Sequence, residues 1–197
     1  VRLGIDLDNT IIDYTRAFAD AVRAAGIDGI PLDAGKTVLR DALRARPGGE
    51  RDWMRVQALA YGSLIERAEP YPGVEAFFVR ARERGMRLTI VSQKTAFAAA
   101  APEGPNLREC ASAWLAARGL VRDGEPAVYY EATREAKCAR IAALGLTHFI
   151  EDLVEVFVDP AFPRDCTRWL FAPDGAPPDA PADRVFATWA ELAGAAF

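Results

Sequence analysis

The chain has 197 residues, 51% of them hydrophobic and 26% charged, and a formal net charge of −4. That length holds one good core with room for a small second lobe, and the composition is that of an ordinary folded domain. The slight acidity excludes any global attraction to nucleic acid or to an anionic membrane.

The first segment, 1–7, reads as a buried strand, with Val1, Leu3, Ile5 and Leu7 ahead of an abrupt polar stop at Asp8, Asn9 and Thr10. A helix is predicted over 14–25, with Phe18, Ala21 and Val22 on one face and Gly26 as its stop. An arginine-rich second helix over 35–46 halts at Pro47-Gly48-Gly49. A third spans 50–68 on the stripe Trp53, Val56, Leu59, Ala60 and Leu64. The turn Pro70-Tyr71-Pro72-Gly73 is the clearest punctuation, and the pattern changes after it. A helix over 74–84 ends at Gly85, a strand over 86–91 ends at Ser92-Gln93-Lys94, and 96–106 reads as a loop with one helical turn. A helix over 107–117 leads to a strand at 127–130. A helix over 134–144 leads to a strand at 147–150, which ends in Glu151-Asp152. A strand at 168–171 precedes an extended surface loop, 173–183, then a short strand or turn and a small helix.

Strands alternating with helices predict a parallel sheet covered on both faces. The all-helical stretch before Pro70 interrupts that alternation and is expected to be an inserted lid. The expected division is a core of 1–12 and 73–197 with a helical cap of 13–72. Three widely spread cysteines (Cys110, Cys138, Cys166) suit a reducing compartment, and the single histidine, His148, speaks against a zinc site of the Cys/His kind. No apolar run reaches membrane-spanning length and the first residues lack a signal peptide's pattern, so no membrane partner and a cytoplasmic location are expected.

In an open α/β sheet, ligands bind beyond the carboxyl ends of the strands. The first predicted strand ends with Asp6 and Asp8, the second with Ser92, and the fourth with Glu151-Asp152, while Lys137 lies near a helix start after the third. Carboxylates, a hydroxyl and an ammonium group together are the inventory for holding a phosphate and a divalent cation. A carboxylate at the end of a buried apolar strand must be desolvated unless a cation offsets it, and magnesium suits a site of few carboxylates plus substrate oxygens.

These runs carry a resemblance. LGIDLDNT resembles the first motif of the haloacid dehalogenase-like superfamily, RLTIVSQK its second, and HFIED a variant of its acidic fourth, with Lys137 where the third motif has its lysine. The helical stretch between the first two motifs is similar to that family's helical cap. The resemblance implies a Rossmann-like three-layer α/β core and a magnesium-dependent phosphatase. Asp6 would attack phosphorus, and Asp8 would donate and then withdraw a proton. Ser92 and Lys137 would bind the phosphoryl group, with Thr10 and Gln93 also toward substrate. Asp6, Asp8 (through its carbonyl) and an acid from Glu151-Asp152, with Asp152 favoured, would hold magnesium. The fourth motif commonly begins with aspartate, so Glu151 is a departure. The expected partner is a small phosphate ester, with no nucleic acid, and the expected assembly is a monomer or homodimer.

Bland readings compete. Lys94 and Arg134 compete for the place given to Lys137, and Thr10 either tightens its loop or touches substrate. His148 is expected to be structural, and Arg40, Arg44, Arg46, Arg51 and Arg55 a solvated face of the lid. A dehalogenase would not need the acid Asp8, and a phosphonate-cleaving enzyme would need a lid lysine, of which the lid has only Lys36. A phosphomutase and a non-catalytic module that binds a phosphorylated metabolite stand as alternatives.

Overall fold

In the computed structural model, which describes residues 1–32 and 35–197, strand β1 (Leu3–Ile5) is buried along its whole length. It lies between two parallel neighbours, β4 (Leu88–Gln93) and β6 (His148–Glu151), in the registers Ile5 to Ile90 and Ile5 to Ile150. Strands β5 (Ala127–Glu131), β7 (Thr167–Phe171) and β8 (Arg184–Phe186) complete a parallel sheet in the order β5-β4-β1-β6-β7-β8. The chain runs outward from β1 through β4 to β5, then crosses back to β6 on the other side of β1. That reversal opens a crevice at the carboxyl end of β1, where ligands of such sheets bind. The α/β class and parallel sheet agree with the expectation drawn from the sequence.

Side chains of successive strand residues face opposite sides, so one sheet builds two cores. On one side Val91, Phe149 and Leu170 pack with Cys138 and Ile141 of α6 (Arg134–Ala143) and with Val156 and Phe157 of α7 (Val154–Phe157). On the other, Phe171 meets Trp189 of α8 (Trp189–Ala196), which in turn packs on Phe77 of α4 (Val74–Glu83). Helix α8 starts with a reciprocal cap between Thr188 and Glu191.

The chain divides into two compact units. The first is Val1–Ile12, Pro70–Lys94 and Gly119–Phe197, and the second is Asp13–Glu69 and Thr95–Arg118. A two-stranded ribbon, β2 (Ile12–Asp13) with β3 (Glu69–Pro70), forms where the chain leaves the first unit and returns. The second unit is helical: α1 (Thr15–Ala24), α2 (Lys36–Arg44), α3 (Gly49–Tyr61) and α5 (Leu107–Ala117), with a 3₁₀ turn at Ile65–Arg67. Phe18 stacks on Trp53 with ring centroids 5.3 Å apart, and Tyr61 meets both Tyr14 and Phe18 edge-on.

Two features differ from the expected division. The third helix ends at Tyr61 instead of 68, because Gly62 turns the chain where a Cβ would collide with Pro105 and Ala58. Segment 95–118, expected in the core, groups with the helices 13–69. Within that unit Trp114 Nε1 donates to the Ala68 carbonyl at 3.0 Å, and the Arg118 guanidinium donates to the same oxygen at 2.6 Å.

Gly4 sits in β1 opposite Phe149, and a Cβ there would run into Leu146 and the Phe149 ring. Gly4→Ala is therefore expected to lower stability by about 1–3 kcal/mol, measured by urea unfolding. An unchanged midpoint would show that the two side chains yield without cost.

Candidate active site

Strand β1 hands over directly to the site. The Asp6 amide still donates to the Ile150 carbonyl at 2.9 Å, so the ladder fixes Asp6 at the strand's end. The chain then closes a tight loop in which the Ile11 and Ile12 amides both donate to the Leu7 carbonyl at 3.0 Å. Asn9 takes a left-handed conformation (φ 62°), which asparagine tolerates better than most residues. Thr10 is buried. Its hydroxyl lies 3.5 Å from Asp152 Oδ1, and its carbonyl accepts a hydrogen bond from Trp189 Nε1 at 3.0 Å. Thr10 thus links the loop to Asp152, just past β6, and to α8.

Lys137 stands one turn into α6, whose start is fixed by the Thr133 hydroxyl accepting from the Ala136 amide at 3.1 Å. Its ammonium is buried between two carboxylates, donating to Asp6 Oδ1 at 2.5 Å and to Glu151 Oε2 at 2.6 Å. Glu151 Oε1 accepts in addition from the Leu153 amide at 3.3 Å. Arg134, the competitor of Lys137 on that helix, instead pairs with Asp159. Ligand oxygens of Asp6, Glu151 and Asp152 lie within 4.8 Å of one another.

The other competitor, Lys94, proves to belong to the site in its own right. It is buried to the same degree as Asp6, and its Nζ lies 2.7 Å from Asp8 Oδ2. The signal was present in the sequence: Ser92 and Lys94 are two residues apart at a strand end, so they share a face. Ser92 is 1% exposed, and its hydroxyl oxygen has no hydrogen-bond partner among the described residues. Gln93, between them, is exposed and turned to the opposite side of β4 from Ser92. Strands β1, β4 and β6 with α6 therefore bring together Asp6, Asp8, Ser92, Lys94, Lys137, Glu151 and Asp152.

The electrostatics favour a further cation. Four carboxylates face two ammonium groups, an excess of two negative charges in a largely buried space. Burial, and then the neighbouring Glu151 charge, push the Asp6 carboxyl up to about 7 despite Lys137. Burial is also the main reason that Glu151 rises to about 7, against the pull of Lys137. For Lys137, burial works to lower its value, but Asp6 and Glu151 together outweigh it and hold the ammonium above its ordinary range. An all-oxygen donor set with unbalanced buried charge suits a hard divalent ion. The orphaned Ser92 hydroxyl beside it suits an anionic oxygen acceptor.

Elsewhere, His148 meets Trp169 edge-on at 5.1 Å, and burial followed by the N-terminal ammonium lowers its pKa, as fits a structural residue. In the helical unit Arg44 makes a two-pronged pair with Glu50, while Arg46 and Arg55 donate to the Asp28 and Ala25 carbonyls. No helix among the described residues is long and apolar enough to cross a membrane.

The raised carboxyl values have a consequence for stability. With folded values near 7 and ordinary values near 4, the folded chain binds more protons than the unfolded chain in that interval. The contribution of Asp6 and Glu151 is thus full below about pH 4 and is lost as pH rises through about 7. In chelator, Asp6→Asn is expected to gain stability relative to the wild-type chain between about pH 5 and 8, read by urea unfolding at each pH. A difference that stays flat would contradict the burial of an ionised Asp6.

No model of a protein family matches the sequence, and no curated protein does. Solved structures do. A haloacid dehalogenase-like hydrolase from Streptococcus pneumoniae is 12% identical with a TM-score of 0.65, covering 100% of this chain and 98% of its own. A predicted phosphoglycolate phosphatase from Haemophilus somnus is 14% identical with a TM-score of 0.62, covering 100% and 97%. Protein tyrosine kinase A from Mycobacterium tuberculosis is 18% identical with a TM-score of 0.66, covering 98% and 97%. Likeness at such identities is likeness of fold, and it extends from end to end. The chain shares its fold with these haloacid dehalogenase-like hydrolases.

Proposed function

We propose that the chain is a magnesium-dependent phosphatase that hydrolyses a small phosphorylated metabolite through an aspartyl-phosphate on Asp6. The observation that carries this reading is the pairing of Asp6 with a buried ammonium, Lys137, in a cluster with Glu151 and Asp152, while Ser92 Oγ, at the end of the neighbouring strand β4, is buried with no partner among the described residues. A dianionic phosphate cannot approach a carboxylate unless cations and donors offset the repulsion. The haloacid dehalogenase-like fold, and the description of one similar structure as a predicted phosphoglycolate phosphatase, support the same chemistry.

In the proposed reaction an Asp6 oxygen attacks phosphorus. The bond from phosphorus to the leaving oxygen breaks, its electron pair stays on that oxygen, and Asp8 supplies the proton that makes it an alcohol. The ionised Asp8 then takes a proton from water as the water oxygen attacks phosphorus. The bond between Asp6 and phosphorus breaks, regenerating the carboxylate and releasing inorganic phosphate. Ser92 donates to a phosphoryl oxygen, and Lys137 holds Asp6 in place while offsetting charge. Magnesium, when bound, would be held by Asp6, the Asp8 carbonyl and an acid of the 151–152 pair, and would neutralise the charge shared by nucleophile and phosphate. Of that pair Asp152, the less buried acid, is taken as the direct ligand.

A second reading, transfer of the phosphoryl group to an acceptor other than water, takes its support from the likeness to the tyrosine kinase. Inorganic phosphate as sole phosphorus product favours hydrolysis, and a phosphorylated organic product favours transfer.

On para-nitrophenyl phosphate and a panel of small phosphate esters, turnover is expected to require magnesium and to stop in chelator. Asp6→Asn should lose more than about 10³-fold in kcat. Ser92→Ala should lose about 10²-fold, the cost of one preorganised donor. Undiminished turnover in Asp6→Asn would exclude the covalent route, and silence on the whole panel with magnesium would exclude the phosphatase reading.

A further inference from the structure

The pair between Lys94 and Asp8 joins the end of β4 to the loop that follows β1. Lys94 follows the last residue of β4, and its amide extends the ladder by donating to the Glu131 carbonyl at 2.8 Å. Its backbone is therefore fixed before its side chain is considered. The side chain is 3% exposed, and its ammonium lies 2.7 Å from Asp8 Oδ2, within the range of a charge-assisted hydrogen bond. A buried ammonium without a counter-charge is costly, so the geometry constrains both partners. Asp8 is the more accessible of the two, with 18% of its side chain exposed. It sits on the loop after β1, where a carboxylate has several rotamers open to it. With one oxygen engaged by Lys94, the carboxylate plane keeps one direction.

We propose that Lys94 is a positioning residue for Asp8, holding that carboxylate aimed at the atoms between which it moves protons. This inference rests on the phosphatase reading and deepens it. Proton transfer requires the carboxyl group within hydrogen-bond reach of the leaving oxygen and then of water, and misplacement by about 1 Å can cost about 10²-fold. Lys94 differs in this from Lys137, which serves Asp6 and Glu151. The two lysines divide the carboxylates between them, one for the nucleophile and one for the proton carrier.

A double-mutant cycle on para-nitrophenyl phosphate, whose good leaving group keeps residual rates measurable, tests this. Lys94→Met is expected to lower kcat by about 10–10²-fold with KM changed less than about 3-fold, and Lys94→Arg to recover part of the loss. In an Asp8→Asn background, Lys94→Met should cost less than about 3-fold more, because its effect passes through Asp8. Thermal melts of every variant separate these effects from lost folding, and Lys94→Gln, one atom shorter but still a neutral donor, replaces Lys94→Met if the latter does not fold. A rise in KM at unchanged kcat would overturn the proposal by making Lys94 a phosphate contact. Multiplicative losses in the double variant would overturn it by uncoupling the pair. A wild-type chain silent on every ester would remove the phosphatase reading itself, and the role of Lys94 with it, whereas the two former outcomes leave that reading standing.

Discussion

Two carboxylates, Asp6 and Glu151, are buried around a single ammonium group, and the site's arrangement follows from that constraint. Lys137 bonds both, yet burial, joined by the Glu151 charge at Asp6 and by the Asp152 charge at Glu151, still drives each carboxyl up to about 7. Ion pairs of this kind are poor sources of stability, because desolvation takes back most of the Coulomb gain. Their persistence in a chain with a complete apolar core points to chemistry. Asp152, and Asp8 with Lys94, add to the same space, and the sum remains negative. A divalent ion would balance that excess, and only with such an ion in place could an anionic phosphate approach Asp6.

The fold makes this concentration of charge possible. The carboxyl ends of β1, β4 and β6 are neighbours because β1 is the central strand, and the chain reverses direction across it. Three short polar stops, each following a buried apolar run, thus converge from positions spread over more than a hundred residues of sequence. Rigidity comes from the scaffold around them: the ladder bond at Asp6, the Thr133 cap before Lys137, and the Trp189 indole that fixes the Thr10 carbonyl. Sites carried on such fixed strand ends keep their geometry better than sites on loops.

What could be read from the sequence was what is local. Asp6 and Asp8 follow an apolar strand in immediate succession, Ser92 ends another, and Glu151-Asp152 a third, so the strand-end rule located them without coordinates. Lys137 was legible through motif order, since a buried lysine on a helix carries no local mark. Lys94 was misjudged as a rival of Lys137 because the sequence shows one lysine near each of two strand ends and not which carboxylate each will meet. The grouping of 95–118 with the helical unit was hidden for a different reason. It depends on Trp114 and Arg118 both reaching the Ala68 carbonyl, a contact across nearly fifty residues that no periodicity signals.

The account's central claim is that this cluster exists to bring the Asp6 carboxylate to phosphorus. The most direct measurement is acid quenching of the chain during turnover of a phosphate ester with magnesium, followed by digestion and mass spectrometry of the N-terminal peptide. The account predicts one phosphoryl group on that peptide, borne by Asp6 and labile to hydroxylamine. Turnover without any such adduct, or with the phosphoryl group on another residue, would contradict it.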